Sequence, residues 1–184
     1  MNTKWTNAYP VDPSGYTCGH CGTRVGSALG YSAGKTRVIR ICPKCDQPTF
    51  FEGDRQLPGV AHGRSVEHCP EVIGHAYNEA RNCMTANAYT AAAMLSRKII
   101  MCVAVTLGKT HRPHLPFQEC VQYLVDEKHV PIRCADWVDH VRKIGNEANH
   151  ELDPVSRQDA ENVLSFVEML LVANFEYPGK AMTA

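Results

Sequence analysis

Two periodicities divide the chain near Pro70. Upstream of it, Thr36-Arg37-Val38-Ile39-Arg40-Ile41 and Thr49-Phe50-Phe51-Glu52 are β-branched or aromatic runs that predict two short strands. Downstream, apolar residues recur at the helical period. Pro70-Glu71 supplies a first-turn proline and an acid for a helix over Val72 to Asn82. Thr85 to Leu107, rich in alanine and methionine and stopped by Gly108, predicts the central helix. A third covers Phe117 to Lys128, with Cys120, Val121, Leu124 and Val125 on one face. Trp137, Val141, Ile144 and Ala148 form the inward stripe of a fourth. The last helix starts at Asp153-Pro154 or Ser156-Arg157-Gln158-Asp159, repeats Val163, Phe166, Val167, Leu170 and Leu171 on one face, and is expected to end at Pro178-Gly179. The expected fold class is mainly α: a bundle of four to five helices over 70–184, preceded by a small β module over 1–56. The stretch 57–69, with Pro58, Gly59 and Gly63, reads as a linker.

The cysteines change this picture most. Cys18-Gly19-His20-Cys21 and Cys42-Pro43-Lys44-Cys45 are two knuckles, each able to turn two thiolates toward one point, and together they complete the tetrahedral sulfur set that zinc prefers. The β-branched strand leading into the second knuckle and the aromatic strand leaving it give the pattern of a zinc ribbon. One zinc per chain is expected, and with all four positions filled by cysteine it is structural and not hydrolytic. His20 lies inside the first knuckle and reads as a solvated turn residue. His62, His68 and Cys69 are weaker candidates for a second metal. Cys83, Cys102, Cys120 and Cys134 fall in or beside the predicted helices and read as reduced core residues. Gly30-Tyr31-Ser32-Ala33-Gly34-Lys35-Thr36 ends like a phosphate-binding loop, but its glycines are one residue too close, and an ATPase is rejected.

Charge and composition exclude more than they identify. The 184 residues are 44% hydrophobic and 21% charged, as in ordinary globular proteins. Nineteen basic residues balance nineteen acidic ones, so the whole molecule has no strong attraction to phosphate backbones, and extended duplex binding is not expected. Residues 1–69 are mildly basic and the remainder mildly acidic, which suits a contact module on a helical scaffold. No stretch reaches about 18 uninterrupted apolar residues, and Met1-Asn2-Thr3-Lys4-Trp5 carries no hydrophobic signal core. A cytoplasmic protein without a membrane partner is expected.

The series Tyr77-Asn78-Glu79-Ala80-Arg81, Ala91-Ala92-Ala93-Met94-Leu95-Ser96-Arg97-Lys98 and Arg142-Lys143-Ile144-Gly145-Asn146-Glu147-Ala148-Asn149-His150 resembles the Domain of Unknown Function family 4145, grouped with the HEPN superfamily of helical bundles. The resemblance covers about Pro70 to Tyr177 and is most specific in the Gly-Asn-x-x-x-His stretch. It implies a bacterial or phage setting beside defence genes and a homodimer. It also implies metal-independent endoribonuclease chemistry, in which an arginine and a histidine of one helix face a cleft at the dimer seam. His150, Arg142, Lys143 and Asn146 are the matching candidates. A neutral His150 would take the proton of a ribose 2′-hydroxyl, the oxygen would attack the adjacent phosphorus, and Arg142 or Lys143 would steady the charged phosphorane, leaving a cyclic phosphate.

The spacing departs from that pattern, because seven residues separate Arg142 from His150. On a regular helix the pair sits about 12 Å and about 80° apart, too far to hold one phosphate within a subunit. Lys143 is better aligned with His150, Asn146 bridges the group, Gly145 is a candidate bend, and a two-fold dimer is an alternative way to bring His150 to the partner's arginine. A simpler role for His150 is to cap the last carbonyls of its helix. Lesser candidates are the His111-Arg112-Pro113-His114 loop, the Asp136/His140 pair one turn apart, and Arg97 and Lys98, for which an ion pair with Glu79 or another acid of the first helix is the plain expectation. Two functions follow: a dimeric endoribonuclease acting in defence or counter-defence, or a non-catalytic binding or regulatory module contacting a protein or nucleic acid through ribbon and bundle.

Overall fold

The computed structural model describes residues 5–108, 115–131, 134–150 and 154–183, with the backbone alone at 135–136, 145–150 and 183. The chain forms two compact units, 1–61 and 62–184.

The first unit is a five-stranded antiparallel sheet in chain order: β1 (Tyr9–Thr17), β2 (Arg24–Ala33), β3 (Arg37–Ile41), β4 (Pro48–Glu52) and β5 (Arg55–Leu57). Only β3 and β4 carry the pattern that predicts a strand. β1 holds Pro10 and Pro13, which an edge strand tolerates, and its register with β2 shifts between Pro10 and Ser14. A buried arginine secures that irregularity: Arg40 donates to the carbonyls of Asp12 at 2.7 Å and Ser27 at 3.0 Å. β5 closes the sheet at the end of the predicted β module, and its last residue, Leu57, is the first of the predicted linker. The stretch resembling a phosphate loop is the β2–β3 hairpin, turning at Gly34, which rules out a strand-loop-helix unit there. Buried apolar residues in this unit are few: Tyr16, Cys18, Ile41 and Cys42 among those described, with the Tyr16 and Phe51 rings edge to face at 5.0 Å.

The second unit is helical: α1 (Glu71–Thr85), α2 (Tyr89–Gly108), α3 (Phe117–Asp126), α4 (Ala135–His150), α5 (Arg157–Leu171) and the short α6 (Tyr177–Thr183). The central α2 packs on α1, α3, α4 and α5. Ala92, Ala93 and Ala104 leave room for these approaches, while Ile99, Ile100 and Val103 share one core with Tyr77, Phe166 and Leu164. By length and composition α2 is apolar enough to cross a membrane. Here it is the core helix of the bundle, with Ala92, Ala93, Ser96, Ile99, Ile100, Val103 and Ala104 buried. The start of α5 resolves in favour of Ser156, whose Oγ accepts the Asp159 N–H at 3.1 Å and donates to the Asp159 carboxylate at 2.6 Å.

Two expectations need correction here. Pro178-Gly179 does not end the last helix: a π turn over Val172–Glu176 intervenes, and α6 follows with Pro178 in its first turn. The wider turn, in which the Tyr177 N–H reaches the Val172 carbonyl, accommodates the missing proline donor that an uninterrupted α-helix would lack. Nor is 62–69 a free linker. Arg64 forms a two-pronged bond to the buried Glu176, at 2.8 and 2.9 Å, and Lys180 and the Glu67 N–H complete that carboxylate's partners at 2.8 and 3.1 Å. Arg64, then Lys180, hold the Glu176 carboxyl down to about 2.

Candidate metal centre and the cleft at the fourth helix

Each cysteine knuckle is a backbone turn closed by its own hydrogen bonds. In the first, the Gly22 N–H reaches the Cys18 carbonyl at 2.8 Å and the Cys18 N–H reaches Thr23 at 3.0 Å. In the second, the Asp46 N–H reaches Cys42 at 2.9 Å and the Cys42 N–H reaches Gln47 at 3.0 Å. The residue after the second cysteine must be left-handed in both, and Gly22 has φ 67° and Asp46 φ 58°. Gly19 is required for a different reason: a Cβ there would collide with the Pro58 and Gly59 carbonyls that pass over the turn.

The turns bring the four sulfurs together, all within 4.8 Å of one another, with Cys18 to Cys45 at 3.7 Å and Cys21 to Cys42 at 3.9 Å. The edge of a four-sulfur tetrahedron with metal–sulfur bonds of about 2.3 Å is about 3.8 Å, so the set fits one metal ion. The thiols differ in acidity. The Thr23 backbone N–H draws Cys21 down to about 6, and burial pushes Cys45 up to about 12. Four sulfurs this close ionise together only with a cation between them. His20 is turned away from the cluster, its Nε2 lying 3.0 Å from the Pro48 carbonyl.

No second metal cluster forms among the described residues. His62 bonds Ser165 at 2.6 Å, the His68 ring packs against Gly179, and the Cys69 thiol is raised to about 11 by burial.

The sequence candidates on α4 lie on one unbroken helix, so Gly145 introduces no break between Arg142 and His150. The axial separation of about 12 Å therefore stands within a chain. Arg142 lies in a polar cleft of about 410 Å³ with Gln118, Glu119 and Gln122 of α3. It donates to Gln122 at 2.7 Å and Asp139 at 3.2 Å, while its buried Nε has no hydrogen-bond partner among the described residues. Lys143 is exposed. Asn146 and His150 fall where only the backbone is described, and the His111–His114 loop lies outside the described residues.

Two lesser candidates take partners that the sequence does not suggest. His140 faces α5, 3.5 Å from Asp159 and 3.3 Å from Asn162. Arg97 stacks over the Phe117 ring at 4.2 Å, a cation–π contact where an ion pair with Glu79 was expected. The buried Arg40 and Glu176 escape sequence reasoning, because their partners lie 13 to 28 and up to 112 positions away.

No curated protein and no solved structure matches the chain. A family description does match, over residues 78–184, which spans α2 through α6 and most of α1 and is more than half of the chain. On that match, the protein belongs to the family described as Domain of unknown function (DUF4145).

Proposed function

We propose that this protein is a HEPN-like, homodimeric and cytoplasmic binding module, in which a zinc ribbon and a helical bundle together engage a nucleic acid or protein partner without catalysis. The observation carrying this reading is the unbroken α4, which keeps Arg142 and His150 about 12 Å apart, with Arg142 already engaged by Gln122 and Asp139. Zinc is the ion of choice for four thiolates in a closed tetrahedral set, and Cys18, Cys21, Cys42 and Cys45 would hold it. It supplies cross-linking of the two knuckles and leaves no open position for water. Thr23 favours the thiolate at Cys21, and the knuckle N–H groups fix the turns.

One observation favours the second reading, a metal-independent endoribonuclease of prokaryotic or phage defence. Arg142 opens onto a polar cleft with an Nε that has no partner among the described residues, as a phosphate-holding cation would, and His150 of a second copy would complete it with Lys143 and Asn146. Incubation of structured and single-stranded RNA with wild-type, Arg142→Ala and His150→Ala proteins separates the two. The binding reading expects no cleavage by any of them. Cleavage by the wild type that both substitutions abolish overturns it.

A further inference from the structure

The exposed aromatic residues of the first unit are gathered in one place. Trp5 is 39% exposed and Tyr9 41% exposed, and both rings meet Tyr31 edge to face, at 6.4 and 6.2 Å. Leu29, 46% exposed, lies opposite Pro10 in the same pair of strands. The cluster is fixed in place: the Trp5 indole donates to the Asp46 carbonyl at 3.0 Å, the Tyr9 hydroxyl bonds Ser32, and the Tyr31 hydroxyl donates to Thr6. Aromatic area held at a solvent-facing sheet edge marks a contact surface and not a core.

Charge narrows the partner. Residues 1–61 contain seven Lys and Arg against four Asp and Glu. Lys35 is exposed in the β2–β3 hairpin, and Arg37, opposite Ala33 and two positions along from Tyr31, is ion-paired to Glu52 at 2.7 Å with its side chain still 62% exposed. Lys44 is exposed beside the knuckle whose Asp46 anchors Trp5. Rings that accept a base face, with exposed cations on the same unit, are the two elements of a sequence-tolerant site for single-stranded nucleic acid. A duplex buries its base faces and has no use for the rings.

We infer that the Trp5/Tyr9/Tyr31 cluster, with Lys35, Arg37 and Lys44, is a stacking site for single-stranded nucleic acid. The inference rests on the binding reading above and names its partner.

The test uses the full-length, metal-loaded chain and fluorescein-labelled oligouridylate, alone and annealed to oligoadenylate, followed by anisotropy. Trp5 emission is read in a Trp137→Phe background. The single strand binds, quenches Trp5 and weakens as salt rises; Trp5→Ala weakens binding roughly tenfold, and Lys35→Glu, at an exposed turn, weakens it with the sheet intact by circular dichroism. The duplex binds less well. Absence of single-strand binding overturns the inference and leaves a protein partner for the binding reading. Binding that survives both substitutions, or that Lys143→Glu alone removes, moves the site to the bundle and also overturns it. RNA cleavage that depends on His150 overturns the binding reading instead.

Discussion

The two units of this chain are stable for different reasons. In residues 62–184 the core comprises 25 buried apolar residues among those described, contributed by every main helix. In residues 1–61 the buried apolar set among the described residues is Tyr16, Cys18, Ile41 and Cys42, and two of these four are candidate metal ligands. At about 25 cal/mol per Å² of apolar surface, the helical unit can offset its chain entropy by packing. The sheet unit buries far less, and on the proposed reading a metal at its four cysteines would supply what is missing, on the order of 10 to 16 kcal/mol in small zinc peptides. On that reading the chain has one unit whose stability is a matter of shape and another whose stability is a matter of coordination.

Substitutions can break this contrast from either side. Cys42→Ser should have the largest effect, abolishing tight metal binding and unfolding the sheet while the helical circular dichroism of the second unit persists. Leu164→Ala, at a fully buried position of α5, should cost about 2 to 5 kcal/mol of the helical unit's stability in denaturant unfolding and leave metal content unchanged. Ser156→Ala removes the α5 cap and should cost about 1 kcal/mol by the same measurement.

A pH titration sharpens the comparison. The Glu176 carboxyl lies below its unfolded value of 4.5, at about 2, because Arg64 and Lys180 favour its charged form. Its contribution is complete above about 4.5 and is lost as pH falls toward 2. The helical unit should lose stability over that window, and Glu176→Gln should flatten the loss while lowering stability at neutral pH. A metal held by the four thiolates would be released by acid for a separate reason, their protonation, so the two transitions should respond to different substitutions.

Much of this division is legible in the sequence, because it depends on local spacing. The CxxC pairs announce a candidate metal site before any fold is known, since two residues between cysteines is the separation that lets one turn present both sulfurs. The helical stripes of α3, α4 and α5 are equally local, and Val163, Phe166, Val167, Leu170 and Leu171 are all buried as their spacing requires. What was illegible depends on distant partners. β1 and β2 carry Pro10, Pro13, Gly26 and Gly30, which suppress strand pattern, yet they pair because the sheet supplies neighbours and Arg40 braces the irregular register. The continuation past Pro178 depends on a π turn and on Glu176 being held by Arg64 from far upstream. At the site, Arg142 was legible by type, but its engagement by Gln122 of α3 is a tertiary fact.

The central claim is that coordination of Cys18, Cys21, Cys42 and Cys45 holds the first unit and does nothing for the second. Amide hydrogen exchange of the full chain before and after metal removal, with metal quantified in parallel, tests it most directly. The account predicts one zinc per chain, and on its removal fast exchange throughout β1 to β4 with protection of α2 and α5 unchanged. A chain that contains no metal, or a sheet that stays protected after chelation, would contradict it.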